Sequence, residues 1–411
     1  MIKDIESIYI HIPFCKTKCP YCDFASWANK EHLTERYFDS LISEVNTKCE
    51  AYNALSSLRG ALATKQSHNV KQSGDCGACP EQSEGSPRND VNKLSTIKTI
   101  FIGGGTPSLV APEYYERLFN ELRKYFEISK DCEITLELNP GTARDDYLSG
   151  YKELGINRIS IGAQSFNEKI LETLGRKHSV EDTVFAINKV KEKGFDNFNL
   201  DLIFTVPGMT CEIWIDSIYR ALEFNPKHIS SYSLIIEPNT PFENIYKNPK
   251  LLPEDDFSAK LYDELCEILK KAGFVHYEIS NFAKPHYESR HNLTYWLAKE
   301  YFAFGLGAHR YLNRMRTSNT RELETYIVSP CIEKIIDYPI DYNFEKIMLS
   351  SRLNEGFDIN LIEKVTTKSQ NEIRRVLKDL SDEGFLELSR DKIHLTDKGF
   401  FVNNEILLKL L

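Results

Sequence analysis

The sequence holds no run of about 18 apolar residues, which excludes an obvious membrane-spanning helix. Its first residues, MIKDIESIYIHIPF, lack the basic leader and apolar stretch of a secretory signal. The expectation is therefore a cytoplasmic protein, with peripheral contact at the inner face of a membrane left open. Positive charge is also short: 51 Lys and Arg against 60 Asp and Glu leave a formal net charge of -9. That balance sets aside a surface built as a whole to neutralise nucleic-acid phosphates. Cysteine is too sparse for a secreted disulfide scaffold, at 10 in 411 residues. The ten are unevenly placed. Cys15, Cys19 and Cys22 crowd together, Cys76 and Cys79 form a CGAC pair, and Cys49, Cys132, Cys211, Cys266 and Cys331 are scattered. Local clustering in a chain long enough for two or three domains points to metal ligation.

Strand and helix signals alternate through the first half. Ser7–Ile12 reads as a short strand before the cysteine loop, and Leu33, Tyr37, Leu41 and Val45 mark an amphipathic helix with Thr34 as its expected cap. From about Glu50 to Ser95 the residues turn to Ser, Gly, Asn, Gln and Lys, which predicts a flexible insertion. Beyond it, strands are predicted at Ile97–Ile102, Glu133–Leu138, Asn157–Ile161, Asn199–Phe204 and His228–Ile235, with helices between them. Such repetition suits a parallel sheet covered by helices, and glycine-rich or polar turns just after the strands favour a partial (β/α) barrel. GGGTP, Gly103–Pro107, lacks the GxGxxG spacing of a dinucleotide fold. The expected division is a core over 1–245, an extension over 246–335, and a C-terminal helical and winged-helix-like region over 336–411. Acidic residues at Glu372, Asp379, Asp382 and Glu383 turn that last region toward protein contact rather than nucleic acid.

Chemistry concentrates in the spacing C15-KTK-C19-PY-C22. Three thiolates can hold a [4Fe–4S] cube by three irons and leave the fourth iron open. Zinc is the alternative, since it also takes thiolates, but a structural zinc needs a fourth protein ligand and only His11 stands nearby.

YIHIPFC-x3-C-x2-C resembles the signature of the radical S-adenosylmethionine (SAM) superfamily, in the branch of oxygen-independent coproporphyrinogen III oxidases and their relatives. The resemblance runs on through FIGGGTPSL, LELNPGT, RISIGAQSF, LGRKHS, NLDLIFTVPG, YSLIIEPNTP and EISNFAKP. It implies a [4Fe–4S] cluster whose open iron binds SAM, and whose reduction cleaves the C–S bond to methionine and a 5′-deoxyadenosyl radical. By the same resemblance, Cys15, Cys19 and Cys22 hold the cluster, and Tyr9 and Tyr21 flank the cofactor. Gly104, Gly105 and Thr106 line its methionine part, Glu137 pairs with its ammonium, and Gln164, Arg176 and Asp201 complete the SAM contacts. Each has a plainer reading as a packing aromatic, a tight turn or a satisfied polar residue.

Oxidases of that branch carry a further cysteine two residues after the third ligand. Here the position is Phe24, so the chain resembles instead the heme-chaperone branch, as does H291-N-L-T-Y295-W296, similar to that branch's HNxxYW motif. The resemblance implies heme as cargo, contacts from His291, Tyr295 and Trp296, and heme-accepting partners such as respiratory enzymes. Read from residues alone, the same three side chains serve equally as packing. GLGAHRY at Gly305–Tyr311 suits close backbone approach to the barrel or a cofactor. The competing activities are radical decarboxylation of coproporphyrinogen III and radical modification of RNA.

Overall fold

A computed structural model of the chain describes residues 5–68 and 93–411. Its core is a nine-stranded sheet of β1 (Ser7–Ile12), β2 (Thr96–Gly104), β3 (Glu127–Leu138), β4 (Arg158–Gln164), β5 (Phe198–Phe204), β6 (His228–Ser233), β7 (Val275–Glu278), β8 (Asn281–Ala283) and β9 (Phe302–Phe304). The order is β9-β1-β2-β3-β4-β5-β6-β8-β7. From β9 to β6 every neighbouring pair is parallel, whereas β8 pairs antiparallel with both β6 and β7. This is the partial barrel of an α/β fold.

Helices α1 (Thr34–His68), α2 (Pro112–Tyr125), α3 (Asp145–Glu153), α4 (Val180–Glu192) and α5 (Cys211–Glu223) follow or connect the strands. Parallel strands buried on both faces usually read as continuous apolar runs; here they alternate. Ile134, Leu136 and Leu138 of β3, Ile159 and Ile161 of β4, and Leu200 and Leu202 of β5 join Tyr115, Leu118, Ile187 and Trp214 of the helices in one core. The intervening residues turn the other way and are polar: Glu133, Thr135 and Glu137, then Arg158 and Ser160, Asn199 and Asp201, His228 and Ser230. Register sets Glu137 beside Ser160, Ser160 beside Asn199, and Asp201 beside Ser230. The barrel thus has a polar interior, and burial there demands partners. Asn199 Nδ2 donates to Ser160 Oγ at 2.7 Å and to Asp201 Oδ1 at 2.8 Å, while its Oδ1 lies 2.7 Å from His228 Nδ1. His228 Nε2 in turn lies 2.8 Å from the Tyr277 hydroxyl.

Two local expectations are corrected. Thr34 does not cap α1 by accepting an amide; its hydroxyl donates to the Glu31 carbonyl at 2.6 Å, because a 3-10 turn over Glu31–Leu33 runs straight into the helix. Helix α1 also continues to His68, past the point where a flexible insertion was expected to begin. Ala, Leu and Arg in that stretch favour helix, and the neighbouring Ser and Asn masked the signal. Residues 69–92 of the insertion, with Cys76 and Cys79, lie outside the described residues.

After β6 come α6 (Asp255–Lys271), the antiparallel edge strands, and α7 (Arg290–Trp296). Strands His309–Leu312, Met315–Asn319 and Glu333–Asp337 form a small separate sheet. The C-terminal region contains α8 (Gln370–Asp382), with a Ser369–Glu372 capping box, followed by the wing Leu386–Ser389 and Lys392–Leu395 and by α9 (Asp397–Phe401). No helix of the described residues is long and apolar enough to cross a membrane.

Candidate cofactor site

The cysteine loop is closed at its base by a short parallel pairing of Phe14–Cys15 with Trp27–Ala28. Trp27 N donates to the Pro13 carbonyl at 2.7 Å, and Cys22 N to the Cys19 carbonyl at 3.1 Å. Folded this way, Cys15, Cys19 and Cys22 all line one cavity of about 450 Å³. Gly104, Gly105, Thr106, Glu137, Gln164, Arg176 and Asp201 form other parts of its wall, at or near the carboxyl ends of β2 to β5. That is the end of a barrel at which parallel strands present ligand sites.

Each sulfur has a neighbour. Thr106 Oγ1 donates to Cys15 Sγ at 3.6 Å, Arg176 Nη1 stands 3.3 Å from Cys19 Sγ, and Ser26 Oγ lies 4.0 Å from Cys22 Sγ. Burial pushes the Cys15 and Cys22 thiols up, so metal binding has to displace their protons. His11 is not available as a fourth ligand in this arrangement. Its Nδ1 lies 3.0 Å from the Tyr9 hydroxyl and its Nε2 2.9 Å from the Ala25 carbonyl, and burial lowers its pKa to about 4. The observation that counts against zinc is this commitment of both ring nitrogens.

The opposite wall is built for a polar, charged guest. Gly104 N donates to Glu137 Oε2 at 2.9 Å, yet burial, and then the charge of Asp201, raise the Glu137 carboxyl to about 8. Such a carboxyl is short of a cation. Asp201 is raised in the same direction by burial, against the bonds from Asn199 and Ser160. Arg176 donates to the Gly162 carbonyl at 3.2 Å, while its buried Nε has no partner. Gln164 ends β4 with φ +64, a strained conformation for a side chain of its kind that turns the chain at the cavity wall. Soft donors, a guanidinium beside Cys19 with one orphaned nitrogen, and cation-seeking carboxyls in the same cavity wall fit a cluster and a SAM molecule.

Tyr21 lines the cavity, 3.5 Å from Arg176 Nη1, but Tyr9 does not. Tyr9 stacks on Phe101, with ring centroids 6.2 Å apart, and bonds His11, so it supports the floor from beneath. The glycines also answer to the fold before any ligand. Gly104 has φ +112, and a Cβ there would meet the His11 ring at 2.4 Å; one on Gly105 would meet the Phe14 carbonyl oxygen at 2.7 Å. Gly305, at φ +104, lets its segment lie against the His11 carbonyl and the Tyr37 hydroxyl, so its close approach is to the barrel.

The structure does not bring His291, Tyr295 and Trp296 to this cavity. Helix α7 crosses the amino-terminal ends of the strands: Thr294 Oγ1 is 2.8 Å from Ser7 Oγ, and His291 N donates to Glu133 Oε1 at 3.1 Å. The buried His291 ring has Nδ1 2.9 Å from Thr99 Oγ1 and Nε2 2.8 Å from the Tyr295 hydroxyl, and burial lowers its pKa to about 3. Both nitrogens are committed, so the ring has no lone pair free for a metal in this conformation. Trp296 is partly buried, its Nε1 has no partner, and Arg352 lies over its ring at 5.4 Å. Phe24, singled out in the sequence, stands exposed at the lip of the cavity beside the exposed Tyr232 and Ile235, which sequence reasoning missed. Tyr232 and Ile235 fall within the YSLIIEPNTP block, which held the signal.

Residues 79–218 match the radical SAM superfamily and residues 338–402 the HemN C-terminal domain. The heme chaperone HemW of Lactococcus lactis is 32% identical over 100% of this chain and 98% of its own length. Those of Haemophilus influenzae and Escherichia coli are each 34% identical, over 98% of this chain and 96% and 97% of theirs. The chain belongs to the HemW family. Among solved structures, this chain is similar in fold to the coproporphyrinogen III oxidase HemN of Escherichia coli, with a TM-score of 0.76, 21% identity, and coverage of 99% of this chain and 90% of that one. At that identity the likeness speaks for architecture alone. Membership in the radical SAM superfamily carries with it the use of SAM and a [4Fe–4S] cluster.

Proposed function

We propose that this protein is a heme chaperone that binds heme and hands it to heme-requiring proteins, with respiratory enzymes among the acceptors. One observation carries the choice over porphyrinogen oxidation: at the cavity lip, where the oxidase branch has its extra cysteine, this chain presents the exposed Phe24. Phe24, Tyr232 and Ile235 give that lip an apolar surface suited to the face of a porphyrin. In this reading Cys15, Cys19 and Cys22 hold the cluster, and Glu137, Arg176, Asp201, Gln164, Thr106 and Tyr21 hold SAM, with the two glycines as backbone floor. When bound, the pair supplies one-electron reductive chemistry. The chain's own part is to neutralise the cofactor's charges and to shield the centre from solvent.

Heme contact by His291, Tyr295 and Trp296 belongs to the proposal as a state in which α7 has moved, since ligation requires His291 to leave Thr99 and Tyr295. We further propose the division of the chain at about residues 245 and 335 into core, extension and C-terminal unit. The test is anaerobic reconstitution followed by heme titration of wild type, His291→Ala and Ile235→Asp, read by optical and spin-resonance spectra. Stoichiometric heme binding, without turnover of coproporphyrinogen III in the presence of SAM and reductant, is expected. Loss of binding in Ile235→Asp alone places heme at the lip; loss in His291→Ala alone places it at α7. Multiple-turnover formation of protoporphyrinogen would overturn the chaperone reading.

A further inference from the structure

A second gathering of ligand-type side chains lies at the far edge of the main sheet. Cys266 on α6, His276 on β7 and Asp397 at the start of α9 bring sulfur, ring nitrogen and carboxylate oxygen within 4.8 Å of one another. His276 Nδ1 is 2.7 Å from Asp397 Oδ1 and 4.0 Å from Cys266 Sγ. This is not the geometry of an activated nucleophile, in which the acid orients one ring nitrogen and the thiol meets the other. Here sulfur and carboxylate converge on the same nitrogen.

The other nitrogen is provided for. His276 Nε2 lies 3.2 Å from the Tyr262 hydroxyl, and that hydroxyl donates its own proton to the Ile279 carbonyl at 2.8 Å. The phenol oxygen is left to accept from Nε2–H, the kind of outer partner that fixes a metal-bound imidazole. Nδ1 then faces a carboxylate oxygen and a sulfur, a place filled either by a proton on Nδ1 or by a metal ion that replaces it. The ring is held in place, stacked on Phe282 at 4.1 Å and met edge-on by Phe400 at 5.0 Å.

We propose that Cys266, His276 and Asp397 bind a divalent cation of the zinc class, and that this ion clips the C-terminal unit to the edge of the main sheet. Sulfur, nitrogen and oxygen donors together suit such an ion. Cys266 is buried and His276 nearly so, while Asp397 is about half exposed and gives the ion its way in, with water as fourth ligand. On binding, the Cys266 thiol proton and any proton on Nδ1 leave to solvent; thiolate and carboxylate together balance the ion's charge.

The test is a cobalt(II) titration of the full-length chain carrying serine for Cys15, Cys19, Cys22, Cys76 and Cys79, so that no other clustered thiol competes. The expected result is one equivalent bound with a thiolate-to-cobalt charge-transfer band, displaced by zinc(II) and absent from Cys266→Ser on the same background. Asp397→Asn, a change at a partly exposed position that leaves the packing intact, is expected to weaken binding by about tenfold or more. No stoichiometric uptake, or a band that persists in Cys266→Ser, would overturn the site. Should Cys266→Ser fail to fold, an affinity unchanged in Asp397→Asn does the same.

Discussion

At the scale of single residues, the cavity's chemistry turns on groups held away from their ordinary protonation. Glu137 has its carboxyl raised to about 8, against an ordinary value near 4.3 in the unfolded chain. The folded state therefore binds the extra proton between those two values, and the stability this group contributes is present at low pH and lost as pH rises toward about 8. Glu278 is raised to about 8 as well, so the pH slope of the parent chain contains both. Glu137→Gln is expected to raise the melting temperature of the cofactor-free chain at pH 8 more than at pH 5, and to weaken SAM binding by about tenfold or more; calorimetry on the two proteins isolates the term. His291 is a neutral buried pin. Its replacement by Ala leaves the Tyr295 hydroxyl and a cavity uncompensated, and is expected to cost about 2–3 kcal/mol in denaturant unfolding.

At the scale of elements, the turn that ends β2 depends on a glycine and the anchor of α1 on buried charges. Gly104→Ala places a methyl against His11 at a positive φ and is expected to cost about 2 kcal/mol or more. Gly155→Ala, where φ is +91 but nothing lies within 4 Å, is expected to cost about 1 kcal/mol. Urea titration of the pair separates crowding from backbone strain. Helix α1 is tied to the small sheet by Lys48, which pairs with Glu333 of that sheet as well as with Glu44 Oε1 at 2.6 Å within the helix, and by Asn319, whose Nδ2 donates to Glu44 Oε1 at 2.6 Å; Gly305 N and the Tyr326 hydroxyl complete the shell of Glu44. Lys48→Met strands that carboxylate and is expected to destabilise by about 3–5 kcal/mol, a loss partly regained on adding Glu44→Gln.

At the scale of the molecule, much was legible because local patterns and global fold agree. The strands from Ser7 to His228 announced themselves by β-branched runs ended by Gly, Asn or Pro turns, and the cysteine spacing announced a metal centre. What stayed hidden depends on contacts distant in sequence. The parallel pairing of β9 with β1, the gathering of Cys266, His276 and Asp397, and the burial of His291 against Thr99 have no local signature. Tyr9 shows the limit from the other side: it lies next to a legible motif, yet the pleat points it at Phe101 and His11 rather than into the cavity. The polar barrel interior was written into the alternation of β3 to β6, where each inward residue could be matched with a cross-strand partner only once register was known.

In the proposed reading Cys15, Cys19 and Cys22 would hold an iron–sulfur cluster, and Glu137, Arg176 and Asp201, which line the same cavity, would receive SAM beside it. Spin-resonance spectroscopy of the anaerobically reconstituted, reduced full-length chain, with and without SAM, tests it most directly. The account predicts a four-iron cluster signal that shifts on adding SAM, keeps its shift in His11→Gln, and is lost when Cys15, Cys19 or Cys22 becomes Ser. A cluster signal indifferent to SAM, or one that survives loss of any of these three cysteines, would contradict it.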